Sequence, residues 1–152
     1  MKKQMFKFFA MIILVIMVAF ISALASASAQ TPGHNLTANV PFEFNVGDKT
    51  MPAGDYIIGR LNSDGTALRI SSRDSDKSAS RLTQAVQSSQ PSENSVLVFK
   101  RYGDRFYLSQ VWLVGEREGR EMLKSGGEKA IDREIAKNNE QAETVTVIAQ
   151  LH

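Results

Sequence analysis

From Leu36 onward, apolar and polar positions alternate with a period of two. In Leu36-Thr37-Ala38-Asn39-Val40-Pro41-Phe42-Glu43-Phe44-Asn45-Val46 every even position is apolar and every odd one is polar or proline. That is the pattern of a strand with one buried face. Pro41 sits on the outward parity and has no N–H for a ladder, so the strand is expected at an edge or bulged there. Gly47-Asp48 and Met51-Pro52-Ala53-Gly54 carry turn residues. Short strands are predicted over Asp55 to Leu61, Thr66 to Ser71 and Ser80 to Gln87. The breaks between them are Asn62-Ser63-Asp64-Gly65 and the polar stretch Arg73 to Ser78, and Ser88 to Asn94, with Pro91 inside, is another loop.

The strongest local pattern is Ser95 to Tyr102, then Gly103-Asp104, then Arg105 to Val114. Two strand-forming runs joined by two turn residues predict a tight hairpin, and the turn sets its register. Tyr102 is then opposite Arg105, Lys100 opposite Tyr107, Phe99 opposite Leu108 and Leu97 opposite Gln110. One face would carry Leu97, Phe99, Phe106, Leu108 and Trp112, and the other Val96, Val98, Tyr107, Val111 and Leu113. With both faces apolar, the hairpin is expected to be central and covered on both sides.

A cover is available downstream. Ser125-Gly126-Gly127-Glu128 has the Ser-x-x-Glu spacing of a capping box, and Ile131 and Ile135 follow four apart on one face of a short helix ending near Asn138. Thr144 to Leu151 alternates again and reads as a closing strand. The predicted fold is mainly β, an antiparallel barrel or sandwich of about eight strands with one short C-terminal helix before the last strand.

Composition changes the picture once residues 1–29 are set apart. Lys2, Lys3 and Lys7 precede an unbroken apolar run, Phe8 to Ile21, and small residues follow at Ala25-Ser26-Ala27-Ser28-Ala29. This is the layout of a secretory signal cut after Ala29, with Ala27 and Ala29 as the small residues of the cleavage frame, so the mature chain would begin at Gln30. The alternative is an uncleaved anchor, since extending the run through Ala25 reaches the roughly 18 residues that can span a bilayer. The expected layout is 1–29 signal peptide, 30–35 flexible mature N-terminus and 36–152 a single β domain, periplasmic or secreted. The whole chain of 152 residues has 18 basic and 16 acidic side chains and no cysteine. Without the leader's three lysines the remainder holds 15 basic and 16 acidic ones, a formal charge of −1. The basic isoelectric point belongs to the leader, which removes the argument for nucleic acid as a partner. Absence of cysteine excludes a lipoprotein signal and a disulfide framework, so packing alone must hold the fold.

Val40-Pro41-Phe42-Glu43-Phe44, Met51-Pro52-Ala53-Gly54-Asp55-Tyr56, Leu97-Val98-Phe99-Lys100-Arg101-Tyr102-Gly103-Asp104, Leu108-Ser109-Gln110-Val111-Trp112 and Gly119-Arg120-Glu121 together resemble an uncharacterised family of small exported β-rich proteins of environmental Gram-negative bacteria. The resemblance spans most of residues 36–152. It departs from the family after Glu121, where Met122-Leu123-Lys124 lacks a Leu-Pro pair. It implies export and a β-rich fold, and no activity.

The residues offer little catalytic chemistry. His34 and His152 are not at metal-ligand spacing, and cysteine ligands are absent, which disfavours zinc or a Ser-His-Asp site. Asp74 and Asp76 lack the spaced oxygens and closing Glu of a calcium loop. No cofactor is expected. Glu116 to Glu121 alternates in sign and reads as a mixed surface. Glu43 could meet another acid across the sheet, which keeps a carboxylate-based hydrolase as the alternative function. The first reading is an exported non-catalytic domain that binds an envelope or extracellular ligand or protein, touching membrane only through an uncleaved leader. One cluster is a binding candidate. Lys100, Tyr102, Arg105 and Tyr107 share a sheet face at the hairpin tip, where a planar, anionic or sugar-like group could stack on Tyr102 between the two cations, or where cation–π and cross-strand pairs merely stabilise the tip. Arg101 falls on the opposite face with Phe99.

Overall fold

The computed structural model describes residues 35–138 and 140–152. The leader, with Ala27, Ala29 and the expected start at Gln30, lies outside the described residues, as does His34. Eleven strands and one helix are described: β1 Leu36–Val40, β2 Phe44–Val46, β3 Lys49–Met51, β4 Gly54–Arg60, β5 Ala67–Ser72, β6 Ser78–Gln87, β7 Val96–Tyr102, β8 Arg105–Trp112, β9 Glu118–Met122, α1 Gly126–Lys137, β10 Glu143–Ile148 and β11 Gln150–Leu151.

The domain is mainly β, and its strands form one mixed sheet. The ladder runs β10-β7-β8-β9-β6-β5-β4-β1-β11, antiparallel throughout. The sheet is mixed because β2 meets β8 in parallel, Asn45 beside Tyr107, and carries β3 on its other side. The path is not closed: its two ends, β10 and β11, do not pair with each other. They are nevertheless successive stretches of one segment, separated by Ala149, whose N–H bonds the Ser95 carbonyl at 2.8 Å.

The count exceeds the expected eight for identifiable reasons. The run Leu36 to Val46 is broken at Pro41-Phe42-Glu43, so that β1 pairs with β4 while β2 pairs with β3 and β8. Proline, unable to donate, stands where one strand leaves its first neighbour. β3 forms between the two expected turns and takes in Met51 of the second, and β9 forms from the alternating charges expected as a mixed surface. In β9, Met122 is buried on the inner parity, which is enough to fix a short strand.

The inner face of the sheet holds a filled core. Phe99, 0% exposed, meets Phe42 and Phe44 edge-to-face at centroid distances of 5.2 and 5.3 Å. Phe44 meets Tyr56 at 5.0 Å, and Phe42 stacks on Phe106 at 4.1 Å. Edge-to-face geometry sets the positive rim of one ring against the negative face of the next. The Tyr56 hydroxyl, buried among them, donates to the Pro52 carbonyl at 2.5 Å, so no polar group is left unpaired there.

The central hairpin follows the expected register at its tip: Tyr102 opposite Arg105, Lys100 opposite Tyr107, Phe99 opposite Leu108. Beyond that point a β-bulge at Val98/Phe99 leaves Ser109 as an extra residue in β8. Leu97 therefore faces Val111, not Gln110, and Val96 faces Trp112. The bulge exchanges the two faces of β8 for the rest of its length. Val111 turns inward and is buried, while Trp112, expected in the core, turns to the outer face.

Helix α1 begins where the cap was expected. Ser125 Oγ accepts from the Glu128 N–H at 3.1 Å. The Glu128 side chain does not reach back to complete a capping box. Ile131 and Ile135 are half-buried, and the one buried residue of the helix is Glu128, 4% exposed.

Candidate functional site

The outer face of the hairpin has two ends, each with aromatic and polar side chains. At the tip, Lys100, Tyr102, Arg105 and Tyr107 do share one face, and Arg101 is on the other. The two tyrosine rings pack edge-to-face at 5.6 Å. They are only 6% and 7% exposed, so little of the Tyr102 ring is open for a ligand to stack on. Two carboxylates of α1 flank its hydroxyl, Glu128 Oε1 and Asp132 Oδ1, each at 3.4 Å. Lys124 holds the other Asp132 oxygen at 2.6 Å. Lys100 turns away to donate to Thr144 Oγ1 at 2.9 Å, and Arg105 is exposed. The cation–ring contact among the described residues belongs instead to Arg101, 5.5 Å from the Phe106 centroid on the inner face.

Burial acts on the titrating groups at the tip. Tyr102 is pushed well above the ordinary phenol value by desolvation and then by the negative charges of Glu128 and Asp132. Glu128 is raised above the ordinary carboxyl value by burial, with Lys124 and the Tyr102 hydroxyl pulling the other way. Oxygen–oxygen separations of 3.4 Å lie beyond the usual O–H···O range, so each contact is weak. The arrangement docks a helix through weak polar contacts and leaves the carboxyl of Glu128 buried.

An open cleft of about 440 Å³ lies between the tip and the end of α1, lined in part by Arg101, an edge of Tyr102, Asp104, Glu140 and Glu143. The Arg101 guanidinium is already committed, to the Gly103 carbonyl at 2.8 Å and to Glu143 at 3.3 Å. The other named charges are acidic, which leaves the cleft unsuited to anions. His152 lines a second shallow cleft with Asn39 and Asp55, whose side chains bond each other at 2.7 Å. A partly open pocket lined by Leu36, Ile58 and Val111 on one side and by Glu118 and Arg120 on the other holds about 30 Å³, which is room for water and not for a ligand. Among the described residues no three His, Asp or Glu side chains converge as a metal site would require, and no helix is long and apolar enough to cross a membrane. Asp74 ties its loop to β4, accepting from the Asp55 N–H at 2.9 Å, and Glu43 is exposed.

The base of the hairpin is built differently. The register carries Val111 opposite Arg120, which sets Trp112 beside Gly119 of β9. A Cβ placed on Gly119 would lie 2.6 to 2.8 Å from three carbons of the indole, so the ring lies flat on the glycine backbone. Trp112 Nε1 donates to Gln110 Oε1 at 3.0 Å. Gln110 Nε2 in turn donates to Glu121 Oε1 at 3.4 Å, and Gln84 Nε2 to Glu121 Oε2 at 2.8 Å. Gln110, Glu121 and Gln84 stand directly opposite one another on β8, β9 and β6. This polar row was not foreseen, because without the bulge Gln110 belongs to the other face. A signal existed: Leu108 and Val111 are three apart in a strand whose other inward residues are two apart, and Ser109-Gln110 fills the gap.

No family model, curated protein or solved structure matches the chain.

Proposed function

We propose that this is an exported, non-catalytic β domain that binds an envelope or extracellular ligand through the outer surface of its sheet. The observation that carries the reading is the packed core: among the described residues the aromatic rings fill the inner face and the pocket at its edge is water-sized, which favours a ligand met outside. Export rests on the charge and apolar pattern of residues 1–29 and on the family resemblance. We read the sheet as a barrel in which the β10–β11 segment, bonded to β7 by its first part and to β1 by its second, serves as the last stave.

One observation favours a carboxylate-based hydrolase. Glu128, raised by burial, and Asp132 stand together at Tyr102, as a general acid and its partner would. Against it, Glu128 is 4% exposed and Tyr102 stands between the two. The test is sedimentation of the protein, as recovered from culture, with isolated cell-envelope fractions, while released reducing ends are measured. Retention in the pellet without release is expected. Release of reducing ends that Glu128→Gln abolishes would replace binding by hydrolysis. Intact mass of the same preparation is expected to correspond to a start at Gln30, and a mass retaining Phe8 to Ile21 would make the protein membrane-anchored.

A further inference from the structure

We propose that Trp112 with the row Gln110, Glu121 and Gln84 is a binding platform for a neutral glycan. The inference rests on the surface-binding reading above and names the ligand class and the place.

Two independent features converge on it. The first is the attitude of the indole. With one face against Gly119 and its N–H tied to Gln110, the ring is held in place, its other face turned from the glycine, and the residue stays part-exposed. A flat, immobilised π face with its negative quadrupole outward attracts the slightly positive C–H groups on one side of a pyranose ring. The ring has lost its freedom before any ligand arrives, so little ordering cost remains for binding. Tyr102 and Tyr107, 6% and 7% exposed and packed edge-to-face on each other, offer no such face.

The second feature is the polar row. Its three side chains sit on neighbouring strands, about 4.8 Å apart, and are already locked to one another through Glu121. Each Glu121 oxygen keeps a free lone pair, Gln84 and Gln110 each keep an N–H, and Gln84 keeps its carbonyl. Sugar hydroxyls both donate and accept, so a line of alternating donors and acceptors beside a flat ring matches them. The only charge in the row is the Glu121 carboxylate. Phosphate, nucleic acid and acidic lipid would meet a negative group, and a neutral, hydroxyl-rich ligand would not. Ile148, Val96 and Val86 continue the Trp112 row across the sheet, and they would border the apolar side of the sugar.

Trp112 is the chain's single tryptophan, so its emission reports on this place alone. The experiment titrates the purified protein with soluble neutral oligosaccharides of glucose, of mannose and of N-acetylglucosamine. A saturable blue shift or quench with at least one of them is expected. Gln84→Ala, which alters an exposed side chain, and Glu121→Gln are each expected to weaken binding about tenfold without moving the melting midpoint, and Arg105→Ala at the tip is expected to bind like wild type. A silent emission with all three sugars, or equal binding by Gln84→Ala and Glu121→Gln, overturns the platform. An emission shift that depends on protein concentration alone also overturns it, in favour of a second copy of this chain. If the protein still sediments with envelope fractions while its emission is silent, the platform fails and surface binding stands. If it does neither, both fail.

Discussion

The tip and the base of the β7–β8 hairpin present the same kinds of side chain on the same outer face, and they end in opposite conditions. At the tip, Tyr102 is buried against α1 and Tyr107 against the Tyr102 ring, with a carboxylate of the helix drawn into the burial. At the base, Trp112 lies on a glycine and stays part-exposed, its polar neighbours bonded within the sheet. Aromatic and charged residues on a sheet face therefore do not by themselves mark a site; what lies over them decides. The expected cover over both faces exists on the inner side and at the tip, and stops short of the base.

The largest effect should fall on both ends together, because they share the inner face. Phe99→Ala removes the ring at the centre of the core and should cost about 3 to 5 kcal/mol, read by urea denaturation with Trp112 emission at the base and α1 helicity as separate probes. Coincident transitions are expected, and a helix that melts well before the base would split the domain in two. Gly119→Ala should act at the base alone. Its Cβ would meet the indole at 2.6 Å, so the ring must lift, at about 1 to 3 kcal/mol and with a red-shifted emission. Unchanged emission would show that the ring does not lie on the glycine. Tyr102→Phe should act at the tip alone, costing about 0.5 to 1 kcal/mol since its contacts are long. Hydrogen exchange should quicken in α1 and stay unchanged in β9.

The smallest effect sets charge against burial at the tip. Glu128 holds its proton in the folded chain at pH values where the unfolded chain has released it. Its contribution is therefore complete below the ordinary carboxyl value, declines as pH rises from there to the raised value, and is flat above it. Around it stand Tyr102 from β7, Asp132 and Lys124 near the helix start, and Arg81 from β6. Glu128→Gln removes this titration, so the melting midpoint of the variant relative to wild type should climb between pH 4 and pH 7. A difference that stays constant or falls would show that the carboxylate is not disfavoured by its surroundings.

Much of this was legible because it is local. Alternation located β4 to β8 and the final strand, the Gly103-Asp104 turn set the register as far as Phe99 and Leu108, and Ser125 marked the start of α1. The base was not legible, for one physical reason. A single extra residue, Ser109, reverses the faces of everything after it in β8, and parity counted from the turn carries that error to Trp112. The tip was legible only in part, for another reason. Parity placed its four residues on one face, but the buried member of α1 is Glu128 rather than an isoleucine, and no periodicity announces a buried acid. β3 and β9 are held by sheet neighbours distant in sequence, beyond the reach of any local window.

Leu36 lies opposite Leu151, and the His152 N–H bonds the Asn35 carbonyl at 2.9 Å. Contacts joining residues more than a hundred positions apart belong to slow-folding topologies, since a long loop must be closed before they return anything. A ribosome delivers β1 among the first of these strands, yet the partner on one of its sides arrives only when Gln150 and Leu151 have emerged. Until then Leu36 and Thr37 carry an open hydrogen-bonding edge, available to a neighbouring nascent chain as readily as to β11. The growing polypeptide thus stays adhesive along that rim until β11 has joined it.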